Sequence, residues 1–268
     1  MERKQYWNER YFEYWKKRVD EANAPTGSES KIVPGDKINT SDQNYFSAID
    51  LLNIEPGASL LEMGCGFGRS IPHLYHYTHN ILAIDISAEM VDNAKRLCSE
   101  YKEVQFRVAD AEYFDYPPDS FEYIVCFAVF DALFQRDAIL KMNELLKPHG
   151  RVLLTGKNDD YFEDDNEALT AEANARAKGH PNYFTDVRSL LDNLNRLGFE
   201  LVHSRYFLRR GDFNLDKRIT KYTNRFYEYL LVCEKIGVAD RAINVNLSSD
   251  VSKTYRRLKR NGPFPAPP

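Results

Sequence analysis

Residues 62–70 read Glu62-Met63-Gly64-Cys65-Gly66-Phe67-Gly68-Arg69-Ser70, three glycines on alternate positions just behind an acid. Glycine permits a tight turn and lets a ligand approach the backbone without meeting a Cβ atom, so the loop suits a nucleotide-like cofactor. Two commoner glycine loops do not match. A dinucleotide fingerprint has glycine at the sixth place of GxGxxG, where this chain has Arg69, and a phosphate P-loop needs a Gly-Lys-Ser/Thr that does not follow. Further acids recur downstream: Asp85 in AIDIS, Asp110 in VADAEYF and Asp131 in VFDAL. The two oxygens of a carboxylate match a vicinal diol, although a lone acid at such a place is also an ordinary helix-start residue. His180, in KGHPNYF, is a loop group of the type that titrates near neutrality; His73, His76 and His79 read as structural.

The elements that must position these groups alternate. SLLEMG (59–64), ILAID (81–85), VQFRVAD (104–110), YIVCFAV (123–129) and RVLLTG (151–156) are apolar runs of the kind buried on both faces of a sheet. Between them, SAEMVDNAKRLCSEY (87–101) and RDAILKMNELLKPHG (136–150) have helical periodicity, the first capped by Ser87 and the second closed by Pro148 and Gly150. Residues 184–207 add a helix, ended by Gly198, and a strand, and FYEYLLVCEKI (226–236) adds a last strand. The pattern predicts a doubly wound α/β sheet, whose ligands bind beyond the carboxyl ends of the strands where strand order reverses. Each acid above falls at such an end.

In that setting the sequence resembles the class I S-adenosylmethionine-dependent methyltransferases, whose first motif is acidic-x-Gly-x-Gly-x-Gly after the first strand. The resemblance runs from about Ala48 to Ile236. It implies a Rossmann-like seven-stranded sheet with the last strand antiparallel and helices on both faces. It also implies S-adenosylmethionine as cofactor and S-adenosylhomocysteine as product. By the same resemblance, Gly64, Cys65, Gly66 and Gly68 approach the methionyl and ribose portion, with Glu62 supporting the loop. Asp85 accepts from the ribose hydroxyls, Ile86 packs on the adenine, and Asp110 binds its amino group beside the Ala111 backbone. Cys126 and Phe127 line the methionyl side. Asp131 stands where many members have histidine, and is the first candidate to take a proton from, or hold, the acceptor. His180, after the helical insertion EDDNEALTAEANARA (163–177), is the second.

Composition and missing motifs narrow the class. The 268 residues carry 36 Lys and Arg against 40 Asp and Glu, a net charge of −4, so no global basic field exists to hold nucleic acid. No apolar run is long enough for a membrane helix, and none follows the charges of MERKQYWNER, so a cleaved secretory signal is not expected and cytoplasmic is the expected location. The four cysteines form no CxxC pair, and no metal is assigned. Cys126 follows Val125 rather than the proline of cytosine-C5 enzymes, and the Asn/Asp-Pro-Pro-aromatic motif of adenine enzymes is missing. What remains is an O- or N-methyltransferase of a small acceptor, such as a sugar or nucleotide-linked metabolite, whose anionic group Arg209, Arg210, Lys217 or Arg218 could meet. An RNA or protein methyltransferase, supported by the basic run Lys253 to Arg260, is the alternative, as is a non-catalytic cofactor-binding module. A homodimer is compatible with the sequence.

The expected organisation is an aromatic helical arm and linker (1–45), a methyltransferase domain (46–238) with a substrate-covering insertion at about 157–184, and a solvated basic tail ending in proline (239–268). With 17 Tyr, 16 Phe and two Trp, the chain is rich in aromatics. Tyr6, Trp7, Tyr11, Phe12, Tyr14 and Trp15 gather in the arm, and Tyr161, Phe162, Tyr183 and Phe184 flank the insertion. The expectation is that they roof the site, with Tyr11 and Tyr14 reaching the cofactor.

Overall fold

The computed structural model describes residues 3–13, 16 and 46–261. Eight strands form one sheet: β1 (Leu60–Met63), β2 (Ile81–Asp85), β3 (Gln105–Val108), β4 (Phe121–Cys126), β5 (Leu146–Lys157), β7 (Phe199–Phe207), β8 (Arg218–Ile219) and β9 (Glu228–Lys235). Their order is β3-β2-β1-β4-β5-β9-β7-β8, while β6 (Phe184–Thr185) pairs with β10 (Ser248–Ser249) apart from the sheet. Strands β1 to β5 are parallel, and β9 runs antiparallel to both β5 and β7. The expected seven strands are thus present, with the two-residue β8 added at the edge.

Alternation along each strand feeds two cores. Leu61, Met63, Leu82 and Ile84 face the layer that holds Ala138, Ile139 and Met142, whereas Leu60, Ile81 and Ala83 face the layer of Ile71 and Leu74. Burying each such aliphatic side chain contributes about 1.5–3 kcal/mol. The helices of those layers include α2 (Ile71–Tyr77), α3 (Ala88–Leu97) and α4 (Gln135–Leu145). Ser87 caps α3 by accepting the Met90 amide at 3.2 Å, as its sequence signature predicts. Not every expected strand is doubly buried: β3 is exposed along most of its length, because the strand order leaves it at the edge. The helix expected over 136–150 stops at Leu145, and the chain passes straight into β5 with a register shift between Phe121 and Tyr123.

The N-terminal arm is helical as expected, whereas the C-terminal segment is not a solvated tail. The arm is helical over Arg3–Gln5 (α1) and π-helical over Tyr6–Tyr11. Tyr14, Trp15 and the Pro/Gly-rich stretch 23–41 lie outside the described residues. Within the segment read as a solvated tail, Lys253–Asn261 forms α7, with Tyr255 and Leu258 packed on Tyr161, Leu169, Phe184 and Tyr227. Two residues of its basic run are matched by acids: Lys253 pairs with Asp159 and Asp186 at 3.0 and 2.8 Å, and Arg257 with Asp160 and Glu163 at 2.7 and 2.9 Å. The α5 helix (Asn166–Ala177), capped by Asp165, forms the insertion beside this cluster, and α6 (Val187–Asp192) follows β6.

Candidate functional site

Strand order reverses between β1 and β4, and a cavity of about 690 Å³ opens beyond the carboxyl ends of β1, β2, β4 and β5. At one end it meets the glycine loop. Gly64 sits at φ +79°, and a Cβ there would strike the Val129 side chain at 2.5 Å, so both backbone sign and space require glycine. Gly66, at φ +51°, has nothing within 4 Å in the Cβ direction, leaving its backbone open to the cavity. Its amide donates to Asp85 Oδ2 at 3.0 Å, while Asp85 Oδ1 accepts the Ser87 amide at 2.9 Å. Each oxygen keeps a second lone pair for a ligand. Burial pushes the Asp85 carboxyl upward, and the amides oppose that shift.

Glu62 is 2% exposed and accepts from the Ser70 hydroxyl through Oε1, yet Oε2 is buried without a partner. Burial pushes its carboxyl up to about 7. A buried orphan oxygen beside an open backbone cradle is what a polar cofactor would complete. Farther along this end, Asp110 and Glu112 both bind Arg3 of the arm, with Arg3 Nη2 at 3.0 Å from Asp110 Oδ2 and 2.9 Å from Glu112 Oε2. The Asp110 carboxyl is lowered: burial opposes ionisation, and the Glu112 contacts and the Arg3 charge overcome it. Sequence reasoning missed Arg3, since no local pattern marks a residue that acts 107 positions away.

At the other end the walls come from β4, β5, the insertion and the turn after β7. The backbone leaves β4 through Ala128 at φ +52°, an unusual conformation for a non-glycine, held by the Ala128 amide donating to Thr155 Oγ1 at 2.8 Å. It then enters the 3-10 turn Phe130–Ala132, which places Asp131, 8% exposed, against the cavity. Lys157, the last residue of β5, donates to Asp131 Oδ2 and, at 2.9 Å, to Asn182 Oδ1. Burial disfavours the Lys157 charge, and the neighbouring Asp131 carboxylate overrides this and raises it, so the ammonium persists. His180 Nδ1 is hydrogen-bonded to the Tyr6 hydroxyl at 2.6 Å. Burial, aided by the Lys157 charge, pulls the imidazole down to about 4, so it is neutral near pH 7.

The structure therefore gathers Glu62, Gly64, Cys65, Gly66, Asp85, Ile86, Asp110, Ala111, Phe127, Asp131, His180 and Tyr11 around one cavity. Two expected members do not line it. Cys126 is fully buried in the core under the sheet, because side chains alternate along β4 and its neighbour Phe127 takes the open side. Gly68 turns away toward α3, where a Cβ would meet Cys98 Sγ at 2.6 Å. Tyr14 lies outside the described residues. Of the four cations proposed to meet an acceptor, only Arg210 lines the cavity; Arg209 pairs with Asp164 and Arg218 with Asp216. Among the aromatics, Trp7 and Tyr11 line the cavity, whereas Tyr161 and Phe184 are interior residues beneath α5 and α7. Lys157 and Tyr227 line it too and were not foreseen, their roles being set by strand neighbours rather than sequence neighbours.

Residues 61–154 match the family described as "Methyltransferase domain". Over 119 residues the chain is 29% identical to phosphoethanolamine N-methyltransferase 3 of Arabidopsis thaliana, an overlap of 40% of this chain and 22% of that protein. Among solved structures, the [4+2]-cyclase SpnF superposes with a TM-score of 0.60 at 15% identity, over 87% of this chain and 96% of that one. The magnesium protoporphyrin IX methyltransferase of Synechocystis PCC 6803, solved with bound SAH, superposes with a TM-score of 0.55 at 15% identity, over 87% and 97%. At such identities the structural likeness speaks of fold. Its sheet has this order, its glycine loop stands at the switch point, and the stretch from β1 into β5 matches a methyltransferase domain, so the chain has the Rossmann-like fold of the S-adenosylmethionine-dependent methyltransferases it resembles.

Proposed function

We propose that the protein transfers a methyl group from S-adenosylmethionine to an oxygen or nitrogen atom of a small-molecule acceptor, with a sugar or nucleotide-linked metabolite as the finer reading. The observation that carries this is continuity: one cavity joins the Glu62–Gly66–Asp85 end to the Asp131–Lys157–His180 end. When bound, the cofactor supplies a methyl group on a sulfonium, activated for in-line displacement. The chain's own residues then have three tasks, namely alignment, exclusion of water and management of the acceptor's proton.

Alignment falls to Asp85, Glu62 and the open Gly66 backbone on the cofactor side. Water exclusion falls to the arm, which reaches both ends through the Arg3 contacts with Asp110 and Glu112 and the Tyr6–His180 bond. Proton management falls to Asp131: Lys157 occupies its Oδ2 and leaves Oδ1 available to accept an acceptor's O–H or N–H. Neutral His180 is a weak base and serves better as a hydrogen-bonding wall. Calorimetry with S-adenosylhomocysteine, followed by methyl-transfer assays with hydroxyl- and amine-bearing metabolites, tests the reading. Cofactor binding without transfer to any metabolite would favour a non-catalytic module.

An RNA or protein acceptor has less support, because Lys253 and Arg257 of the basic run are already paired with acids. No helix among the described residues is long and apolar enough to cross a membrane.

A further inference from the structure

Three neighbouring strands bring three groups to the acceptor end. Lys157 closes β5, Tyr227 immediately precedes β9, and Arg210 lies in the turn after β7. Since β9 sits between β5 and β7 and runs antiparallel to both, its start lies at the same edge as their ends: Glu228 is in register with Lys157 on one side and with Phe207 on the other. The turn is held from outside. Arg209 pairs with Asp164 and covers the Phe162 ring at 4.4 Å, and the Arg210 amide donates to Asp165 Oδ2 at 2.8 Å. With its neighbour pinned outward, Arg210 lines the cavity.

There, Arg210 Nη1 donates to the Tyr227 hydroxyl at 2.8 Å, while Nε and Nη2 have no hydrogen-bond partner among the described residues. No carboxylate among them comes within 4.0 Å of its guanidinium, although Glu167 and Glu228 line the same cavity. Other arginines differ: Arg209, Arg218, Arg225 and Arg257 each pair with an acid. Tyr227 is 3% exposed, and its phenol accepts from Arg210 and so keeps its own proton to donate. Burial raises that phenol, which keeps it protonated. Lys157, by contrast, has its charge matched by Asp131.

We propose that Arg210 and the Tyr227 hydroxyl form a seat for an anionic group of the methyl acceptor, a carboxylate or a phosphate monoester, with the methyl-accepting atom directed toward Asp131. Two free guanidinium donors beside a phenolic O–H suit such a group, because the planar fork of arginine meets two oxygens at once. This inference rests on the methyltransferase reading and names its substrate class.

The test uses the full chain saturated with S-adenosylhomocysteine and titrated with inorganic phosphate or acetate, with binding followed by calorimetry and thermal shift. The wild type is expected to bind at least one of the two, and whichever binds identifies a phosphate or a carboxylate seat. Arg210→Gln is expected to weaken that binding at least tenfold, Arg210→Lys less, and Tyr227→Phe partially. Arg218→Gln, altered at the Asp216-paired site, is expected to bind as the wild type does. Unchanged S-adenosylhomocysteine affinity in Arg210→Gln certifies that the variant is folded. If the wild type binds S-adenosylhomocysteine but neither anion, or if Arg210→Gln binds the anion as well as the wild type, the seat is refuted and the methyltransferase reading stands. Failure to bind S-adenosylhomocysteine at all refutes that reading instead.

Discussion

The Gly66 amide donates to Asp85 Oδ2 at 3.0 Å, tying the glycine loop after β1 to the end of β2. One carboxylate thus shapes the loop and faces the cavity beside it. Asp85→Ala is expected to weaken S-adenosylhomocysteine binding by about 1.5–3 kcal/mol, the usual range for charge-assisted hydrogen bonds. Calorimetry reads this directly, and wild-type affinity in the variant removes Asp85 from cofactor binding.

Asp131 and Lys157 act as a pair, so their variants should differ. Asp131→Asn is expected to lower turnover by about 100-fold or more, the range for a lost general base, while cofactor affinity stays near the wild-type value. Lys157→Met leaves an 8%-exposed Asp131 without its cation and should cost about 3–5 kcal/mol in urea unfolding. The double variant should regain much of that stability. Additive losses would mean that the two groups do not depend on each other.

Glu62 makes stability depend on pH in a definite direction. Its folded carboxyl lies at about 7, above the ordinary 4.5. A raised carboxyl contributes stability that is complete below the unfolded value and is lost as pH rises through the folded one. Glu62→Gln should therefore gain on the wild type between pH 4.5 and 7, by up to about 3 kcal/mol above pH 7. Thermal unfolding at pH 5 and pH 8 measures the gain, and an equal difference at both would exclude titration of Glu62 as its source.

The arm's ionic latch predicts a kinetic effect. Glu112 has a fully buried side chain and meets Arg3, whose guanidinium also lies 4.6 Å above the Phe134 ring. Arg3→Met is expected to speed S-adenosylhomocysteine release several-fold and to lower the melting temperature. Stopped-flow release identical to wild type, together with unchanged turnover, would reduce the arm to packing.

Ending the chain at Val251 removes α7 and uncovers Tyr161, Leu169 and Phe184, leaving Asp159 and Asp160 without Lys253 and Arg257. The melting temperature should fall markedly. Salt-dependent RNA binding that vanishes in the same truncation would revive the RNA-directed alternative.

What the sequence determined by itself was local and periodic. Apolar runs announced β1, β2, β4, β5 and β9, Ser87 announced the start of α3, and glycine spacing announced the tight turn after β1, because each depends on neighbours a few positions apart. Asp85 and Asp110 were legible for the same reason, since they stand at strand ends. The tertiary structure decided the rest. Whether Cys126 or Phe127 faces the cavity depends on which side of β4 is open, and whether Arg209 or Arg210 turns inward depends on Asp164 and Asp165 across 45 residues. Arg3 on Asp110, Lys157 on Asp131 and the basic α7 on its acids are long-range pairs between charges that are unremarkable in sequence. Such charges acquire partners only when folding brings them together out of water, and no local spacing encodes that meeting.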